Sequence, residues 1–315
     1  MKTLDTITKQ LDKEVPVDPQ ARRALATELA SFLRDTESET HYRVCHYLRK
    51  LGREAAAAGH QLIPLLDDVD RVIAAGAIEV FGAMGPEFPE AVPLLISKLI
   101  PETNDEASRR RIPGIVTSKT SYFLGEYACR ALASYGPLAE EAVGILMGVL
   151  GWGTVEYREI YTGNAQFQHA AVFTLGRIGS EKGVPALMDY VERHVGDAYG
   201  VAAAEALGNI GPKATSAVPT LIKVIEKAQN SWPTQMDPML LKARQIKAAA
   251  NALGKIGSSD HNSQARKILQ TLASDDYLDR IVAGVSAAAK EALGLLTRCV
   301  AAAAPQQHLV VGAIA

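Results

Sequence analysis

At 315 residues the chain has room for two ordinary globular domains or one elongated array. Its 33 basic residues against 35 acidic ones leave a net charge of −2, which excludes a general electrostatic attraction for nucleic acid or anionic membrane. Hydrophobic residues make up 48% but aromatic ones only 6%, and a content carried by alanine and leucine favours helices that touch through small residues.

The N-terminal stretch MKTLDTITKQLDKEVP carries charges throughout, so it does not read as a signal peptide. No run approaches the roughly 18 uninterrupted apolar residues of a spanning helix. The cysteines, Cys45, Cys129 and Cys299, are too few and too scattered for a disulfide framework, which points to a reducing, cytoplasmic setting. VDPQARRALATELASFLRD (17–35) begins with an aspartate cap and a proline and predicts an amphipathic helix; residues 1–38 read as a helical cap.

From there one phrase recurs: YLRKLG (47–52), VFGAMG (80–85), ALASYG (131–136), TLGRIG (174–179), ALGNIG (206–211) and ALGKIG (252–257). In register, the closing glycines are Gly52, Gly85, Gly136, Gly179, Gly211 and Gly257, at intervals of 33, 51, 43, 32 and 46. The shortest intervals set a unit of about 32 or 33 residues, lengthened elsewhere by insertions. Each phrase ends a helix with a glycine read as left-handed. Pro86, Pro137 and Pro212 follow at once, and Ser180 and Ser258 take that place in two other units; proline cannot continue the helix before it.

A second amphipathic stripe follows, at i, i+3, i+4 and i+7: Val92, Leu95, Ile96 and Leu99; Val143, Leu146, Met147 and Leu150; Val184, Leu187, Met188 and Val191; Val218, Leu221, Ile222 and Ile225. Pro93, Pro185 and Pro219 fall in the opening turn of that helix. Each unit is thus helix, turn, helix, and stacked pairs bury the stripes that a lone pair cannot. The predicted fold is all-α: an α-solenoid of about six helical pairs over 39–297 with helical end caps, and 298–315 as a C-terminal tail or cap.

AAAEALGNIGPKATSAVPTLI (202–222) and FGAMGPEFPEAVPLLI (81–96) resemble HEAT repeats in the variant shared with phycocyanobilin lyases, over about residues 40 to 297. The resemblance implies a HEAT/armadillo-like superhelix and leaves activity open, since the repeat serves scaffolds, adaptors, inhibitors and a few enzymes. In this family the first helix often carries an arginine six residues before the Ala-Leu-Gly. Here that slot holds Ala74, Gly125, Gln168, Gly200 and Ile246.

The extra length falls between units, near 101–118, 152–165 and 228–238, so the insertions should gather along one edge. They carry Arg109, Arg110 and Arg111; Trp152, Tyr157, Arg158 and Tyr161; and Trp232. Tryptophan, tyrosine and arginine are the usual anchors of protein interfaces, so these residues are the predicted partner-binding set, against the plainer reading in which the aromatics plug the loops onto the core.

Motifs of catalysis are sparse. His41 and Cys45 stand one helical turn apart, but His46 points about 100° away from Cys45 and no second cluster completes a metal set; packing or surface roles are the expectation. The paired His-Glu motifs of HEAT-like iron hydroxylases have no counterpart, the matching stretch reading VAAAEALG with Glu205 alone. A phosphate loop and a Gly-x-Ser-x-Gly elbow are absent. A slot expected to face solvent on the second helices reads Asp68, Ser97, Gly148, Asp189, Lys223 and Gln270, which gives no positive groove for nucleic acid.

The sequence therefore predicts a non-catalytic, cytoplasmic protein-binding scaffold or adaptor, with no cofactor, no metal and no membrane contact. It would present a concave face and an insertion-lined edge to a macromolecular partner, with oligomeric state open. The alternatives, both carried by family likeness, are a bilin lyase-like enzyme and an alkylpurine glycosylase-like solenoid that binds DNA.

Overall fold

The structure, a computed structural model, describes residues 3–34, 37–99, 119–151, 165–230, 236–257 and 262–303. Two compact units divide the chain, Met1–Ala186 and Leu187–Ala315. The described secondary structure is entirely helical, and six helix–turn–helix pairs appear in the order the glycine register predicts.

In the first unit, α1 (Leu4–Lys13) and α2 (Pro19–Ala30) precede the repeats. Asp18 caps α2, its carboxylate accepting from the Ala21 amide at 2.8 Å, and Pro19 opens the helix. Helix α1 was not legible as an element; it is short and charged, and only Ile7, Thr8 and Leu11 are buried. The first pair joins α3 (Ser38–Leu51) to the stretch Gly52–Asp67, which is mostly 3₁₀ with one short α turn, α4 (Gly59–Leu62). The second joins α5 (Arg71–Met84) to α6 (Ala91–Ser97). The third joins α7 (Lys119–Tyr135) to α8 (Val143–Val149). The fourth joins α9 (Ala165–Ile178) to α10 (Val184–Arg193), within which the division between units falls.

The second unit continues with α11 (Ala198–Ile210) and α12 (Val218–Asn230), then α13 (Met236–Ile256) and α14 (Asn262–Ala273). Two more helices follow, α15 (Asp276–Ile281) and α16 (Val285–Ala303), the latter running past residue 297. The first helices pack in rows, α3–α5–α7–α9 in one unit and α11–α13–α16 in the other. Each of α6, α8, α12 and α14 lies against a first helix of the following repeat, or of its own row's continuation: α6 on α7, α8 on α9, α12 on α13 and α14 on α16.

The repeated phrase has two structural jobs. Its last glycine has positive φ in all six copies, between 55° and 71°. At three of them it is not the left-handed helical cap that the sequence suggests: Gly52, Gly85 and Gly211 have ψ between −132° and −139°. That region is open to glycine and strained for other residues, and it sends the chain straight into a 3₁₀ turn, as at Gly85–Glu87 and Gly211–Ala217. The third position of the phrase serves close approach. A methyl built on Gly82 would lie 3.0 Å from Ala131 Cα, one on Gly208 2.9 Å from Ala252 Cα, and one on Gly254 2.6 Å from Ala292 Cα. So position three of one repeat meets position one of the next, backbone to backbone. At one junction a hydroxyl enters: buried Thr174 donates to the Cys129 carbonyl at 2.8 Å.

The second-helix stripe is buried as predicted at Val92, Leu95, Leu99, Val143, Leu146, Leu150, Val184, Leu187 and Val191, while Ile96, Met147 and Met188 are half-buried. In the second unit Val218, Leu221, Ile222 and Ile225 are all buried. The slot expected to face solvent is exposed at Ser97, Lys223 and Gln270, but Asp68 and Asp189 are half-buried and Gly148 is buried.

Gly200, in the slot where the family often has arginine, has a steric cause. The His194 carbonyl and the side-chain amide of Gln245 occupy the space where a Cβ would go. Gln245 is fully buried; it accepts from the Gly196 amide at 2.6 Å and donates to the His194 carbonyl at 3.2 Å. Asp197 then caps α11 through the amides of Tyr199 and Gly200, both at 2.9 Å, and pairs with His194 Nδ1 at 2.8 Å. A residue of α13 thereby satisfies the turn between α10 and α11.

Candidate functional site

The predicted partner-binding residues Arg109, Arg110, Arg111, Trp152, Tyr157, Arg158, Tyr161 and Trp232 all lie outside the described residues. Of the insertions themselves, the structure describes only their margins: α12 runs on to Asn230, and α9 and α13 begin at Ala165 and Met236.

Within the described residues a groove opens on the outer surface of α3 and α5, lined by Tyr42, Cys45, His46 and Arg49 from one helix and Val72, Ile73, Gly76 and Glu79 from the other. Two features of sequence make it. Gly76 has no side chain, and a Cβ there would come within 3.3 Å of Cys45 Cβ, so the helices close tightly at the floor. Tyr42 lies off the buried stripe of Val44, Cys45, Leu48 and Leu51, which leaves it 50% exposed. Val72 is 54% exposed at the start of α5, and Val69 just before it is 99% exposed. Arg49 and Glu79 pair across the groove at 2.5 Å.

Burial, with a smaller contribution from Asp68, pushes the Cys45 thiol up to about 12, which favours the protonated form at neutral pH. Burial, then the cations Lys50 and Arg49, holds His46 below the usual imidazole value, which favours the neutral ring. His41 approaches Asp68 at 3.9 Å. Among the described residues no group of three or more His, Cys, Asp or Glu side chains could hold a metal ion. A half-exposed tyrosine and valine thus stand beside a charged pair.

The sequence concealed this groove for a physical reason. In α5, RVIAAGAIEVFGAM, nearly every position is apolar, so periodicity cannot tell buried Ile73 and Ile78 from exposed Val72. The one usable signal is Glu79, the only acidic residue in the helix, which marks the outer face that Val72 and Gly76 share at i−7 and i−3.

Among the described residues no helix is long and apolar enough to cross a membrane. Residues 158–235 match the family model described as HEAT repeats. No curated protein sequence matches the chain significantly. Among solved structures, the complex of CpcE and CpcF of phycocyanin lyase from Nostoc sp. PCC7120 is 20% identical, over 90% of this chain and 96% of that one, with a TM-score of 0.44. An engineered protein is 17% identical over 87% of this chain and 98% of its own, with a TM-score of 0.40. Human deoxyhypusine hydroxylase in complex with glycerol is 19% identical over 94% and 96%, with a TM-score of 0.33. At these scores none of the three bears on activity or partner.

The matched segment contains the α9/α10 and α11/α12 pairs, and the same positive-φ glycine recurs outside it at Gly52, Gly85, Gly136 and Gly257. Residues 158–235 are HEAT repeats, and the described helices on either side of them follow the same paired pattern.

Proposed function

We propose that the chain is a non-catalytic scaffold or adaptor that binds a protein partner in the cytoplasm. The observation that carries this reading is the α3–α5 groove: Tyr42 and Val72 stand half exposed above a protonated, buried thiol, beside the Arg49–Glu79 pair. Tyrosine and arginine around a small apolar centre suit docking of a protein surface, and stacked helical pairs offer anchors that need little reordering when a partner arrives. The insertion residues Arg109–Arg111, Trp152, Tyr157, Arg158, Tyr161 and Trp232 form a second proposed contact, on the strength of their composition. The buried free thiols Cys45 and Cys129 are in keeping with a reducing compartment.

Affinity capture from the native cell's lysate, read by mass spectrometry, tests both contacts. Three baits are compared: the wild type, a groove variant (Tyr42→Glu, Val72→Glu) and an insertion variant with alanine at Arg109, Arg110, Arg111, Tyr157 and Tyr161. A protein held by the wild type and lost from one variant assigns the contact. Coloured or nuclease-sensitive material on the wild type, with no protein partner, would replace this reading by bilin or nucleic-acid chemistry.

A further inference from the structure

Helix α1 is joined to α2 by Glu14–Asp18, a short link that contains Pro16 and an 87% exposed Val17. It lies against α2 and is tied to α3 by a matched set of side chains. Arg43 bonds the Asp5 carboxylate at 2.6 Å and the Thr8 hydroxyl at 3.2 Å. The Tyr47 hydroxyl donates to Asp12 at 2.7 Å, and Lys50 donates to its other oxygen at 3.1 Å. Both sets repeat at seven residues, Asp5 and Asp12 on α1 against Arg43 and Lys50 on α3, so the two helices run parallel with two turns between charge pairs. Between the carboxylates, Ile7 and Leu11 supply the buried apolar pair.

Ten residues make a helix too short to persist alone in water, and α1 is held by two large aliphatic side chains and exposed polar contacts. An element of that kind opens well before the rest of a fold does. The chemistry of its seat is nonetheless specific: an apolar bed flanked by two cations of fixed spacing.

We propose that the seat formed by α2 and α3 is a helix-binding site that α1 occupies in cis. Its partner in trans is an amphipathic helix with the pattern of α1, a carboxylate, an apolar pair four residues apart, and a second carboxylate seven residues after the first. Such a partner docks by displacing α1, so α1 acts as a tethered competitor. This rests on the reading of the chain as a protein-binding scaffold, and a defined peptide tests it independently of what the lysate capture finds. The Asp5 and Asp12 carboxyls both sit below their usual value because of these basic and hydroxyl partners, so the charges the seat reads are present at neutral pH.

The test titrates a fluorescein-labelled peptide of residues 1–14, MKTLDTITKQLDKE, into two full-length chains and follows anisotropy. One is the wild type; the other carries Ile7→Asp and Leu11→Asp, which unseat its own α1. We expect saturable binding at least tenfold tighter on the unseated chain. Adding Arg43→Glu and Lys50→Glu to that chain should weaken binding at least tenfold, and a peptide with Asp5→Lys and Asp12→Lys should recover it. Equal affinity for wild type and unseated chain overturns the proposal, as does failure of the reversed peptide to recover binding. Loss of the helical circular dichroism signal in the unseated chain also overturns it, since α1 would then be part of the core and not a displaceable occupant.

Discussion

Gly208 and Gly144 are both helical glycines, and the structure gives them opposite fates. A methyl on Gly208 meets the Ala252 backbone, whereas one on Gly144 meets nothing within 4 Å. Gly208→Ala must push two helices apart and is expected to cost about 1–3 kcal/mol. Gly144→Ala removes unfolded-state entropy without a clash and is expected to stabilise by about 0.5–1 kcal/mol. Urea titrations of the two variants should shift the midpoint in opposite directions. Gln245 gives a polar counterpart. Gln245→Leu strands the Gly196 amide and the His194 carbonyl, and two such losses are expected to cost about 2–4 kcal/mol in the same assay.

At the scale of the element, α1 and α2 are both N-terminal helices with different supports. Asp18 holds the start of α2, and Asp18→Ala is expected to cost about 1 kcal/mol, measured by thermal denaturation. Helix α1 depends on ionised carboxylates. Arg43 lowers the Asp5 pKa, first through its hydrogen bond, and the Tyr47 and Lys50 hydrogen bonds lower that of Asp12, each from the usual 3.8. A depressed folded-state value means that the contribution to docking is complete above the usual value and is lost as pH falls through the lowered ones. Amide protection of residues 4–13, compared with that of α2, should therefore drop as the pH goes below about 4. The sequence made α2 legible because its cap and proline are local signals, and left α1 hidden because its partners are 35 or 38 residues away. The same limit explains Gly200: its cause, Gln245, belongs to the next repeat.

For the whole molecule, the glycine register disclosed six helical pairs because every copy obeys the same backbone demand, a positive φ at the end of the first helix. The groove stayed hidden because exposure within an all-apolar helix such as α5 depends on its neighbours. The thiols report on the integrity of the stack. Cys45 and Cys129 are buried, and burial raises both above the ordinary thiol value. Ellman's reagent is expected to reach neither in the native chain, and both as urea unfolds it. The junctions between repeats carry a further meaning. Where glycine meets alanine, as at Gly82–Ala131, Gly208–Ala252 and Gly254–Ala292, the two surfaces have no side-chain identity and behave as interchangeable fittings. A unit duplicated or lost in register would find the same plain seat waiting, while the hydroxyl of Thr174 on the Cys129 carbonyl makes that one joint a keyed one.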